Sequence, residues 1–236
     1  MLERAPTIFE EGVYHRRLEE ENDRRPVALF LPQAYEPRYP YPLVVFLHGH
    51  GETETQWTNS IASLSRRNYI GISLRGPHAV NRQDGRRGYS WGRHRRSDGL
   101  IEDYVLAAIR QTMQSYNIHS ERIFLAGFCE GATVAYRLGV MFPEKFAGMV
   151  ALNGWLPSGR LPLGRVRAAG NPRVFIGHAQ ENAHVPVQHA ADAYRLLYTA
   201  GLDVTLRTYG AGHRLQPSML RDVDHWLIES CHSSTL

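Results

Sequence analysis

Cysteine and lysine are scarce in this 236-residue chain: Cys129 and Cys231 are the only cysteines and Lys145 the only lysine. Two cysteines cannot staple a secreted disulfide framework, and no Cys/His set has the paired spacing of a structural zinc site. The expectation is therefore a fold without metal or cofactor, in a reducing compartment. Long apolar runs are missing too. Residues 1–33 alternate acidic and basic side chains without a signal-peptide stretch, and the apolar runs elsewhere are strand-sized. No membrane partner is expected, and the reading is cytoplasmic. With 43% hydrophobic and 21% charged residues, the chain suits one globular domain over 1–236, large enough to remove roughly 70% of its unfolded surface from water.

The shortage of lysine leaves the net charge of +4 to arginine. Six arginines cluster at Arg82, Arg86, Arg87, Arg93, Arg95 and Arg96, interleaved with Tyr89 and Trp91. No nucleic-acid-binding motif accompanies them, so they read first as a solvated strand-to-helix connection and second as contacts to an anionic substrate group. No nucleic-acid partner is expected.

What is present is an alternation. Short runs rich in Val, Ile, Leu and Phe at 27–31, 43–47, 69–74, 122–126, 146–152, 173–177 and 204–209 read as strands. Helical patterns lie between most of them, at 57–67, 98–116, 130–142, 187–200 and 217–229. This predicts an α/β fold with a mostly parallel central sheet covered by helices on both faces. The unbroken run Leu43-Val44-Val45-Phe46-Leu47 fits a central strand buried on both sides, and Ser97-Asp98 offers an N-cap to the long helix. The strands before Pro32 are expected to pair antiparallel at an edge. Residues 154–172, rich in Gly, Pro and Arg, are too short for a lid domain and read as a loop.

Chemistry concentrates where the strand ending Ile123-Phe124-Leu125-Ala126 meets Gly127-Phe128-Cys129-Glu130-Gly131 and then a helix. This is the nucleophile-elbow pattern with Cys129 in the serine position. Glycines two before and two after are needed because the turn brings neighbouring backbone too close for a Cβ. Chance would place such a pattern about 0.02 times in a chain of this composition, so a merely structural cysteine is the weaker reading. The sulfur sits at a helix N-terminus, where unpaired N–H groups favour an anion. Glu130 opposes a reactive thiol unless its side chain points outwards.

These residues make the chain resemble the α/β-hydrolase superfamily, and within it the phospholipase/carboxylesterase branch. The resemblance covers residues 42–227: Leu47-His48-Gly49-His50-Gly51 looks like the oxyanion loop, Arg87-Gly88-Tyr89-Ser90-Trp91 like the segment before the long helix, Gly154-Trp155-Leu156-Pro157 like a later loop, and Tyr209-Gly210-Ala211-Gly212-His213 like the histidine loop. The elbow cysteine departs from the serine usual in that branch and resembles the dienelactone hydrolases. The resemblance implies the fold, without a large lid domain. It implies His213 as the base, His48 as structural, and the backbone N–H groups of His50 and Glu130 as the oxyanion hole. Trp57, Tyr89, Trp91 and Trp155 would border an open cleft.

The position where the family carries its acid is Asn182, and the alternative position, Asn153, is neutral as well. Glu181 is the nearest carboxylate, one residue out of register. A Cys-His-Asn set is chemically coherent, because a thiolate beside an imidazolium needs less charge support than a serine does. The resulting expectation is hydrolysis of small carboxylic esters or thioesters through an acyl-Cys129 intermediate. The alternative is a catalytically impaired homologue that binds a small ligand or partner, and a third is that Cys129 or Asn182 replaces an original serine or aspartate. Nothing in the sequence sets an oligomeric state.

Overall fold

Five consecutive apolar side chains at 43–47 have no face to offer water, and the strand that contains them, β3 (Tyr41–Leu47), is buried along its whole length in the middle of an eight-stranded sheet. The computed structural model describes residues 12–17, 25–61, 64, 67–92, 98–157, 159 and 161–233. Arg93, Arg95, Arg96 and the N-cap candidate Ser97 lie outside the described residues.

The other strands of this sheet are β1 (Gly12–Arg17), β2 (Pro26–Leu31), β4 (Ile70–Leu74), β7 (Ile118–Phe128), β8 (Gly148–Leu152), β9 (Arg173–Ala179) and β10 (Val204–Tyr209), in the order β1-β2-β4-β3-β7-β8-β9-β10. As expected from the residues before Pro32, β1 pairs antiparallel with β2, and β2 antiparallel with β4. Every pairing from β4 to β10 is parallel. Side-chain alternation sorts the core into two layers. Leu43, Val45 and Leu47 pack with α2 (Asp98–Ser115), α3 (Glu130–Met141), α4 (Leu163–Ala169) and α5 (Gln188–Thr199), while Val44 and Phe46 pack with α1 (Thr58–Ile61) and α6 (Pro217–Ser233). Each such aliphatic side chain contributes about 1.5–3 kcal/mol by leaving water. The chain steps from β3 to β4 on one side and then crosses back over β3 to β7 on the other, so the carboxyl ends of β3 and β7 flank a topological switch point, where sheets of this kind bind ligands.

Three expectations change. The segment 154–172 contains a helix, α4, whose Val166 is fully buried, so it is more than a loop. The helix expected at 57–67 is confined, among its described residues, to Thr58–Ile61 after a 3-10 turn at Glu54–Gln56, because Trp57 is drawn into the core beside Phe46. The arginine-rich connection is a hairpin, β5 (His78–Asn81) against β6 (Arg87–Ser90), closed by Gly85 at φ 76° and by Asp84 accepting the Arg86 N–H. No helix among the described residues is long and apolar enough to cross a membrane.

Candidate active site

Cys129 sits between β7 and α3 with φ 54° and ψ −115°, a conformation that costs a non-glycine residue about 1–3 kcal/mol and persists only where its surroundings impose it. They do. The Cys129 N–H donates to Leu152 O at 2.8 Å, and its carbonyl accepts from the Ala132 N–H at 3.2 Å. A Cβ on Gly127 would overlap the Gly131 carbonyl, and one on Gly131 would overlap the Leu47 carbonyl. Gly131→Ala is therefore expected to push the elbow off β3 and lower stability by roughly 3 kcal/mol, read as a drop in the denaturant midpoint; an unchanged midpoint would refute the close-approach argument.

The loop after β3 is fixed from below. His48 is fully buried, its Nδ1–H donating to Gly49 O at 2.7 Å and its Nε2 accepting the Gly76 N–H at 2.8 Å; burial lowers its pKa to about 4 and keeps it neutral. With both ring nitrogens engaged it is structural. The indole N–H of Trp57 donates to Leu47 O, and that of Trp91 to His48 O. The hairpin straps the loop from the side: Gly51 N–H donates to Tyr89 O and Tyr89 N–H to Glu52 O. Arg75 holds Glu54 with two bonds of 2.6 Å and stacks its guanidinium on the Tyr89 ring.

This corrects the expected cleft lining. Trp57 and Trp91 are fully buried buttresses of the β3 end, Tyr89 is taken up by the strap, and the Trp155 carbonyl accepts from Thr133. None of these four borders the cleft among the described residues. Its walls, around about 350 Å³, include Gly49, His50, Gln56, Phe128, Cys129 and His213, with Arg214 and Leu215 beyond the histidine. Phe128 is the wall that sequence reasoning missed, although its place just before the nucleophile in the elbow could have announced it. A second cavity, of about 500 Å³, opens between the start of β3 and the end of α6; it contains Cys231, whose thiol burial pushes up to about 11.

His213 stands on the loop after β10, its ring between Phe128 and His184, each at a centroid distance of 5.0 Å. Its Nδ1 lies 3.0 Å from Asn182 Oδ1. That oxygen also accepts the N–H groups of His184 at 3.0 Å and Val185 at 2.9 Å, which fixes the orientation of the amide. His213 must then donate from Nδ1, leaving Nε2 as the bare, basic nitrogen. Glu181 is exposed and does not reach the ring, and Asn153 acts as a brace, donating from Nδ2 to Arg214 O at 3.1 Å while its Oδ1 accepts the Ala179 N–H at 2.8 Å. Burial lowers the His213 pKa to about 4, with His184 and His178 adding to the effect. The shift favours the neutral imidazole, and among the described residues no carboxylate pairs with the ring to support its cation.

Glu130 takes the direction that weighs against a very reactive thiol. Its side chain points inwards and is only 5% exposed, with Oε1 accepting from Ser90 Oγ at 2.8 Å, and Oε2 accepting the Trp91 N–H at 3.2 Å and standing 3.4 Å from His50 Nδ1. As the first residue of α3, Glu130 has a backbone N–H without a partner inside the helix.

A strained residue between a parallel strand and a helix, glycines that admit it, and a histidine beyond the last strand together define an α/β hydrolase. Solved structures agree on the fold: an acyl-protein thioesterase 2 of Zea mays has a TM-score of 0.70 at 20% identity, covering 86% of this chain and 98% of its own. A carboxylesterase of Bacillus cereus has a TM-score of 0.68 at 17% identity, covering 80% and 89%. The profile of the phospholipase/carboxylesterase family matches residues 36–231, and the chain belongs to that family. An acyl-protein thioesterase 1 of Gibberella zeae is 27% identical over 208 residues, 78% of this chain and 88% of that one. Another from Schizosaccharomyces pombe is 27% identical over 191 residues, 73% and 83% of the two chains.

Proposed function

We propose that this protein hydrolyses carboxylic esters or thioesters through an acyl-Cys129 intermediate. The observation that carries the reading is the saturated Asn182 oxygen, which dictates the His213 tautomer and leaves a basic nitrogen on the histidine that shares the cleft with Cys129. In the first half-reaction His213 Nε2 takes the thiol proton as Sγ bonds to the substrate carbonyl carbon. The carbonyl electrons move onto oxygen, where the backbone N–H groups of His50 and Glu130 receive the charge. Collapse expels the alcohol or thiol, which leaves with the proton from His213. In the second, His213 deprotonates water, the resulting hydroxide attacks the acyl carbon, and Cys129 departs and regains the proton.

A sulfur nucleophile also narrows the substrate. The tetrahedral adduct expels the weaker base, so an alkoxide loses to the returning cysteine sulfur, whereas a thiolate or an aryl oxide competes with it. Thioesters and aryl or enol esters are favoured over alkyl esters. The names of the relatives from Gibberella zeae and Schizosaccharomyces pombe are consistent with thioester chemistry.

The test is direct observation of the intermediate. Rapid acid quench with a short aryl ester, followed by peptide mass analysis, should find the acyl group on the peptide containing Cys129. Iodoacetamide should label Cys129 faster than Cys231 near neutral pH, because the first thiol lies at a helix N-terminus in a cleft shared with His213 and the second has its pKa raised by burial. Hydrolysis without an adduct at Cys129, or equal slow labelling of both thiols, would overturn the proposal.

A further inference from the structure

We infer that the Glu130 side chain is a positioning residue that keeps the two oxyanion donors in register; the inference rests on the acyl-Cys129 reading above. The two donors come from separate pieces of chain. One is the first N–H of α3, and the other belongs to His50, three residues beyond the last residue of β3. Parallel pairing of Leu47 with Gly127 aligns the strands, but its control stops where the loop begins. The neighbouring loop residues are tied elsewhere: Gly49 N–H donates to Gln56 Oε1 and Gly51 N–H to Tyr89 O. The contact that runs from His50 itself to the elbow is its Nδ1 to Glu130 Oε2 at 3.4 Å.

The same carboxylate accepts from Ser90 Oγ and from the Trp91 N–H at the end of the hairpin, which in turn straps the oxyanion loop through Tyr89. One buried side chain thus gathers three segments, and its own backbone supplies one of the donors being aligned. A residue that held only the fold together would have no reason to touch His50. A carboxylate is also an unhelpful neighbour for a developing oxyanion, so its role here lies in geometry, and its charge is spread over donors that face it.

Glu130→Ala is expected to lower kcat on an aryl ester by about 10- to 100-fold, the cost of misplaced transition-state donors, with KM within about threefold. Glu130→Gln, which keeps the shape and an acceptor oxygen, should recover most of that loss. Iodoacetamide alkylation of Cys129 forms no oxyanion and should not slow in either variant. His50→Ala removes a half-exposed ring while keeping the backbone N–H, so it tests the clamp even where Glu130→Ala fails to fold; kcat should fall by about tenfold. An active parent whose kcat is unchanged by His50→Ala or by Glu130→Ala would overturn the inference alone. So would alkylation slowing in proportion to kcat, or a Gln variant as impaired as Ala. A parent with no turnover would overturn the acyl-Cys129 reading and this inference with it.

Discussion

Replacing His213 with alanine is expected to lower kcat/KM on an aryl ester or thioester by about 10³-fold, within the range for loss of a general acid-base group. Two other histidines near the site are already committed. His48 uses both ring nitrogens on Gly49 and Gly76, and His178 is buried with its Nε2–H donating to Val185 O. The ring itself is half-buried, held by ring contacts with Phe128 and His184 and by one hydrogen bond to Asn182, whose oxygen keeps two backbone donors without it, so its removal should leave the fold intact, and added imidazole should restore part of the activity through the vacated space. The pH profile carries a second signature. The form that works as a base is neutral, and with a pKa lowered to about 4 the imidazole stays neutral down to that region, so the acid limb of kcat/KM should fall near pH 4 in place of the ordinary 6.5. Full activity in His213→Ala would move the base elsewhere, and an acid limb near 6.5 would show that burial does not govern the ring.

Most of the sheet was legible because its strands are buried on both faces and so appear as apolar runs, 43–47 being the clearest. The elbow was legible for a different reason: its close approaches, Gly127 to Gly131 and Gly131 to Leu47, require glycine at fixed spacing whatever the side chain between them. The four aromatic residues expected to border the cleft failed on the same physics that identified the strands. An indole is amphipathic, and nothing in the sequence says whether its N–H meets solvent or a buried carbonyl; for Trp57 and Trp91 the acceptors are Leu47 O and His48 O, on the far side of the cleft floor. The direction of the Glu130 side chain stayed open because local sequence carries no record of Ser90 and Trp91, forty residues away, whose donors draw the carboxylate inwards. The hairpin at 78–90 escaped notice because both strands are short and largely polar, and its register is set by a turn at Gly85 and by its strap on Glu52.

Cys129→Ser is expected to lower kcat by about 10⁴-fold, and Asn182→Asp added to it should regain at least about tenfold, because a serine requires a base whose cation is supported by charge. The surroundings of Asn182 already suit a carboxylate. One oxygen receives three N–H donors, from His184, Val185 and His213, while the amide Nδ2 faces His178 Nε2 at 3.5 Å. Since that ring nitrogen donates to Val185 O, the second contact sets donor against donor, and a carboxylate oxygen in place of the NH₂ would turn it into an attraction. Aspartate should therefore enter without moving the loop and should raise the His213 pKa from about 4 towards its ordinary value, lifting the acid limb of the pH profile with it. In the cysteine protein the same change should leave turnover within about tenfold of the parent, since a thiol asks less of its base. The two single variants and the double variant, assayed against one aryl ester across pH, separate the mechanisms. An active parent that collapses on Cys129→Ser and partly recovers in the double variant is the cysteine hydrolase proposed here; a silent parent rescued only by the double change would instead be a disabled serine-type hydrolase, its acid pocket still shaped for the carboxylate it lacks.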